Sequence, residues 1–235
     1  MNKPVIVALD VEDKPSLDRL LSKLGDPKDI TVKIGMELFY QFGTEPVKEL
    51  VAKGYSIFLD LKLHDIPNTV YNGMKQIAKL GIQYTTIHAL GGSEMIKKAH
   101  EGLIAGTPTG KSLPKLLAVT ELTSISDDSL ANEQNCKLTM KDQVISLAKM
   151  AKKYGADGVI CSPLEVEKLR AEVGEDFLYV TPGIRPATDQ KFDQSRIATP
   201  AQAKAFGSSA IVVGRPITLA KDPQAAYQKI VKEFN

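Results

Sequence analysis

Three features of the sequence predict a (β/α)8 barrel, an α/β fold of parallel strands alternating with helices. Short apolar runs rich in β-branched residues recur along all 235 residues, each followed by a longer segment of helical period. Eight such units can be traced, the number that closes a barrel. No Gly-rich GxGxxG follows the first run; VIVALD passes directly into a charged turn. The rival arrangement, an open doubly wound sheet, would usually bind its ligand at a reversal of strand order. No low-complexity linker and no internal repeat interrupts the pattern, so residues 1–235 are expected to form a single barrel domain.

The units follow in order. VIVAL (5–9) is the first strand, and Ser16–Leu24 its helix. TVKIG (31–35) places Lys33 inside the second strand, ahead of a helix at Pro46–Lys53. SIFLDLK (56–62) ends in charge and precedes Val70–Leu80. YTTIH (84–88) is paired with Glu94–Leu103, and KLLAVT (115–120) with Lys141–Tyr154. GVIC (158–161) leads into Pro163–Val173 through Ser162-Pro163-Leu164-Glu165, a capping box with proline at the first helical position. FLYVTP (177–182) leads to Ala201–Phe206 through the same device, Thr199-Pro200-Ala201-Gln202. AIVVG (210–214) closes the set, with Gln224–Phe234 capped by Asp222-Pro223. Two connections are long: Glu121–Leu138, with one helical turn near Asp127–Ala131, and Gly183–Ala198. Both follow strands, at the face where barrels keep their active sites.

Composition narrows the function. Hydrophobic residues are 43% and charged residues 25%, the balance of a soluble globular chain. A formal charge of +2, with scattered lysines, is too weak for a nucleic-acid-binding stripe. No stretch approaches the ~20 apolar residues of a membrane span, and the N-terminal run is too short for a signal peptide. Cys136 and Cys161 form no CxxC pair and are expected as two buried thiols in a reducing cytosol. A cytoplasmic protein is expected, with neither a nucleic-acid nor a membrane partner.

The chemistry concentrates in FLDLKLHDIPNT (58–69). Asp60 and Lys62 are two apart and share a strand face; Leu59, Leu61 and Leu63 share the other. The leucines should pack against helices, which turns Asp60 and Lys62 into the barrel mouth. Buried charges must be paired. Lys33 on the second strand and Asp10 at the end of the first fall at comparable heights. A cluster of alternating charge is expected: Asp10, Lys33, Asp60 and Lys62, with Asp65 as a further candidate. It would be either a salt-bridge plug or, as charges at strand C-termini of barrels usually are, catalytic. TPGIR (181–185) and VVGRPIT (212–218) follow the last two strands, where barrels often bind phosphate. Gly214 would admit an anion closely and Arg215 would fork onto it. His88 ends a strand and is expected to be a hydrogen-bonded structural residue; His64 should face away from Lys62, and His100 lies in a helix. No HxH or HExxH spacing occurs, so no metal site is expected.

FLDLKLHDIPNT closely resembles the signature of the orotidine 5′-monophosphate decarboxylase family. IVALD, VKIGMELFY, the DxKxxD core, HALGG, AVTELTS, VTPGIR and SSAIVVGRPIT stand in that family's order nearly end to end. DxKxxD alone is shared with related sugar-phosphate decarboxylases and synthases; HDIPNT and GRPIT narrow the resemblance to the bacterial type. The resemblance implies a cofactor-free decarboxylase of orotidine 5′-monophosphate, acting as a homodimer with shared sites. It implies Lys62 as proton donor and Asp60 as the carboxylate near the substrate's own. Asp65 and Thr69 would reach in from the partner subunit, Thr69 to the ribose. Asp10 and Lys33 would hold the ribose hydroxyls and the charge network. Thr123 would meet the pyrimidine edge, Arg185, Gly214 and Arg215 the phosphate, and Gln194 both phosphate and base. Three other functions remain open to the residues alone: a magnesium-dependent keto-sugar phosphate decarboxylase, a Schiff-base aldolase and a non-catalytic phosphate-binding barrel.

Overall fold

In the computed structural model, which describes residues 3–186 and 197–235, eight parallel strands close into a barrel in sequence order. They are β1 (Val5–Ala8), β2 (Thr31–Ile34), β3 (Ser56–Leu63), β4 (Tyr84–His88), β5 (Lys115–Val119), β6 (Gly158–Ile160), β7 (Leu178–Thr181) and β8 (Ala210–Val213). Closure is made by β1 against β8, with Ile6 opposite Val212. Strand alternation sorts the side chains into two apolar layers. Ile6, Ala8, Phe58, Leu117, Val119, Ile160, Val180, Ala210 and Val212 fill the interior. Their neighbours, such as Val5, Val7, Ile57 and Leu59, pack outward with the helices. Leu61 and Leu63 join that outer layer, as the alternation in β3 requires.

The helices are α1 (Lys14–Leu21), α2 (Met36–Phe42), α3 (Glu45–Ala52), α4 (Pro67–Ile77), α5 (Ser93–Gly106), α6 (Asp127–Asn132), α7 (Met140–Lys153), α8 (Val166–Val173), α9 (Pro200–Phe206), α10 (Arg215–Thr218) and α11 (Pro223–Phe234). Their starts carry the expected chemistry. Asp13 accepts from the Ser16 amide at 2.7 Å, and Asp222 from the Ala225 amide at 3.0 Å. Both capping boxes form, at Ser162 and at Thr199. The first opens a 3-10 turn (Pro163–Glu165) before α8 begins, so the helix expected over 163–173 is divided. The short helices α2 and α10, not anticipated, begin directly after Gly35 and Gly214 at the ends of β2 and β8. The helical turn expected near 127–131 is α6. Gly102 and Gly106 let α5 lie against the α4 backbone; a Cβ there would collide with the carbonyls of Tyr71 and Lys75. One expectation about the thiols is corrected: Cys161 is buried, but Cys136, on the polar connection after β5, is only partly covered.

Candidate active site

A cavity of about 480 Å³ opens at the C-terminal ends of the strands. Its floor is the top of the interior layer: Ala8, Phe58, Val119, Ile160 and Val212. The first three strands give it a charged wall. Asp10 follows β1, Lys33 lies in β2 and Asp60 and Lys62 in β3, and all four line the cavity. Register explains the convergence, since Ala8 pairs with Lys33 and Lys33 with Phe58.

The four charges alternate in space as they were expected to. Lys33 Nζ donates to Asp10 Oδ1 at 3.0 Å and stands 3.9 Å from Asp60 Oδ2. Lys62 Nζ donates to both oxygens of Asp60 at 2.9 Å. Asp60 is only 8% exposed, so its charge depends on these partners. Gly35 makes room for the pair beside it: a Cβ there would lie 3.0 Å from Lys33 Nζ.

Lys62 reaches this position by a local departure from the strand. Its φ is +51°, in the left-handed region that non-glycine residues seldom enter. Pairing of β3 with β4 slips there, from Leu59 opposite Thr85 to Leu63 opposite Ile87. Simple alternation put Asp60 and Lys62 on one side correctly, but it missed this bulge. It also missed Thr86, whose hydroxyl accepts from the Lys62 amide at 2.9 Å and donates to Asp60 Oδ1 at 2.9 Å.

Cys161, directly after β6, also lines the cavity, and the remaining walls come from the segments after β5, β7 and β8. Glu121, Leu122 and Thr123 contribute from the first, and Pro182, Gly183 and Arg185 from the second. Gly214, Arg215 and Thr218 contribute from the third. Glu121, unremarked in the sequence, is 2% exposed and accepts from the amides of Gln134 and Gln143 at 3.3 Å each. Arg185 is 7% exposed, and its guanidinium donates to the Ile184 carbonyl at 2.9 Å. The neck of the loop after β7 is pinned: the Arg185 amide donates to the Ala198 carbonyl at 3.0 Å, and the Ala198 amide to that of Gly183 at 3.2 Å. A Cβ at Gly214 would meet Ala8 and Asp10 only at ordinary contact distance and so would occupy the cavity itself.

Two expected site residues, Asp65 and Thr69, are not among the described residues lining the cavity of this chain. Asp65 is exposed, and its carboxylate accepts from the adjacent Ile66 amide at 2.6 Å, so it does not extend the charge cluster. Thr69 is exposed on the first turn of α4. Gln194 lies outside the described residues. His64 and His88 stack with ring centroids 5.5 Å apart and an interplanar angle of 21°, away from the cavity lining. Burial, aided by His64 and Lys62, holds the His88 pKa below its ordinary value. Among the described residues its Nδ1 finds no hydrogen-bond partner, so the expected hydrogen-bonded histidine is a stacked one. Among the described residues, too, no group of three or more His, Cys, Asp and Glu side chains could hold a metal ion.

Residues 3–230 match the family model described as orotidine 5′-phosphate decarboxylase / HUMPS family. A protein of Lactobacillus acidophilus named orotidine 5′-phosphate decarboxylase is 71% identical over the whole of both chains. One of Lactococcus lactis subsp. cremoris with the same name is 47% identical, covering 100% of this chain and 98% of the other. Among solved structures, the crystal structure of the L. acidophilus protein superposes with a TM-score of 0.91 at 68% identity, with full coverage of both chains. The orotidine 5′-monophosphate decarboxylase of Methanocaldococcus jannaschii, crystallised with the inhibitor BMP, gives a TM-score of 0.77 at 20% identity over both full chains, a likeness of fold.

Proposed function

The chain belongs to the orotidine 5′-phosphate decarboxylase / HUMPS family, and on that premise we propose a cofactor-free decarboxylation in which Lys62 delivers the proton. The reaction converts orotidine 5′-monophosphate to uridine 5′-monophosphate in pyrimidine biosynthesis. The observation that carries the mechanism is the chain of contacts Asp10–Lys33–Asp60–Lys62 along one wall of the cavity.

Loss of carbon dioxide leaves the electron pair of the broken bond on C6 of the pyrimidine, with no adjacent carbonyl to delocalise it. Such carbanions usually require a cofactor as electron sink. Here the ammonium of Lys62 does that work electrostatically. Its attraction to C6 grows as the carbon becomes more negative, so it favours the transition state over the bound substrate. A proton then passes from Nζ to C6, leaving a neutral amine. Asp60 orients that ammonium through two contacts of 2.9 Å. It also sets a negative charge near the substrate carboxylate, a repulsion relieved when neutral carbon dioxide departs.

The other assignments follow the cavity walls. Asp10 and Lys33 hold the ribose hydroxyls, and Lys33 ties Asp10 to Asp60. Thr123 meets the pyrimidine edge. Arg185, Gly214 and Arg215 take the phosphate on β7 and β8, which stand across the barrel from β3 and β4. Gln194 bridges phosphate and base. The phosphate is remote from C6, so its binding energy can serve the chemical step rather than only the ground state. Asp65 and Thr69 serve the site of a partner subunit in a homodimer. Their exposure, and that of Ile66 at 66% between them, supports that reading. The reaction is read as cytoplasmic; no described helix is long and apolar enough to cross a membrane.

The test is carbon dioxide release from orotidine 5′-monophosphate by protein treated with excess chelator. Undiminished turnover is expected. Activity that disappears on chelation and returns with magnesium would overturn cofactor independence.

A further inference from the structure

The left-handed backbone of Lys62 needs a cause, because such a φ is unfavourable for a residue with a side chain. The β3–β4 ladder does not supply one. Between Leu59–Thr85 and Leu63–Ile87 it advances four residues along β3 and two along β4, so it opens around Lys62. Thr86 lies in that gap. It is fully buried and is not among the residues lining the cavity.

The direction of its hydrogen bonds is fixed by chemistry. The Lys62 amide can only donate, so Thr86 Oγ1 accepts there at 2.9 Å. Its one proton is then directed to Asp60 Oδ1 at 2.9 Å. That same oxygen accepts from Lys62 Nζ, also at 2.9 Å. The contacts close a ring: Lys62 amide to Thr86 hydroxyl, hydroxyl to Asp60 carboxylate, carboxylate to Lys62 ammonium. Both ends of the lysine are fixed by one hydroxyl and one carboxylate.

We infer that Thr86 is a positioning residue for the proton donor: it holds Lys62 in the left-handed turn that aims its ammonium into the cavity. The inference rests on the reading of Lys62 as the group that protonates C6. Thr86 touches no substrate under that reading and acts through Lys62 and Asp60. The adjacent Thr85 offers an internal contrast. It is equally buried on the same strand, yet among the described residues its hydroxyl has no hydrogen-bond partner.

The experiment compares Thr86→Val, Thr86→Ser and Thr85→Val with the parent protein, measuring kcat, KM and Tm on orotidine 5′-monophosphate. Thr86→Val should lower kcat about 10- to 100-fold, the scale of a misplacement of about 1 Å at a reacting group, with KM nearly unchanged. Thr86→Ser should recover most of that loss, since it restores the hydroxyl. Thr85→Val should leave kcat unchanged and keep or raise Tm, since it removes a buried hydroxyl with no partner. A folded Thr86→Val protein with parental kcat would overturn the inference. So would a kcat loss that serine does not recover, one matched by a proportional rise in KM, or an equal loss in Thr85→Val. Should Thr86→Val fail to fold, Thr86→Ala is judged by the same criteria. Lys62→Ala, run alongside, separates the two claims: an active Lys62→Ala protein would remove the proton-donor reading itself, whatever Thr86 does.

Discussion

Asp60→Asn removes one charge and almost no volume, and the structure sets what that should cost. The carboxylate lies between two ammonium groups, 2.9 Å from Lys62 Nζ and 3.9 Å from Lys33 Nζ. Lys33 keeps Asp10 at 3.0 Å after the change. Lys62 keeps only the amide oxygen of the new side chain. Breaking a buried ion pair on one side costs about 3–5 kcal/mol. The Lys62 side chain is 26% exposed, so water recovers part of that; about 2–3 kcal/mol should remain. At roughly 2–4 °C per kcal/mol for a chain of this size, Tm should fall by about 4–12 °C. Lys62→Ala should cost less, because Asp60 then retains the Thr86 hydroxyl and Lys33. Thermal unfolding followed by circular dichroism at constant pH and ionic strength measures both. An Asp60→Asn protein as stable as the parent, or more so, would refute the view that the ammonium groups of Lys33 and Lys62 depend on Asp60 as their buried counter-ion.

Three further outcomes are expected. Arg215→Ala should lower kcat/KM for the nucleotide by an amount worth about 2–5 kcal/mol and leave the phosphate-free nucleoside nearly unaffected; equal losses for both would show that Arg215 does not read the phosphate. When Lys62→Ala and Asp65→Ala subunits exchange at random, about half the dimers are mixed and each has one intact site, so activity should recover to about a quarter of the parent level. Activity that stays at that of the separate variants, with exchange confirmed by native mass spectrometry, would place Asp65 in its own subunit's site. Gly102→Ala should destabilise by about 1–3 kcal/mol through overpacking of α5 on α4, read from the urea midpoint with an unchanged m-value; a neutral result would mean that the two helices separate without cost.

Much of the fold could be read from local chemistry. The strand runs are β-branched and apolar, and the caps at Ser162, Thr199 and Asp222 form where the side chains allow. Alternation in β3 correctly turned Leu59 outward and Asp60 inward. What escaped depends on register or on contacts distant in sequence. Thr86 looks like an ordinary β-branched strand residue in YTTIH until the slipped β3–β4 pairing sets it beside Asp60. Glu121 lies in a polar connection, and its burial depends on Gln134 and Gln143, far along that connection and on the next helix. Helices α2 and α10 are short and begin after a glycine, with no side-chain cap to announce them as the capping box at Thr199 announced α9. The charge cluster, by contrast, was visible because three of its members lie near strand C-termini, where a barrel turns them together.

The central claim is that a single ammonium does the work of a cofactor, and Lys62→Ala tests it most directly. The variant should keep its fold by circular dichroism and lose kcat and kcat/KM on orotidine 5′-monophosphate together, as expected when an interaction made in the transition state is removed. A folded Lys62→Ala protein that keeps a substantial part of the parental kcat, on the order of a tenth, would contradict the assignment, since removing a transition-state charge and proton donor should cost far more.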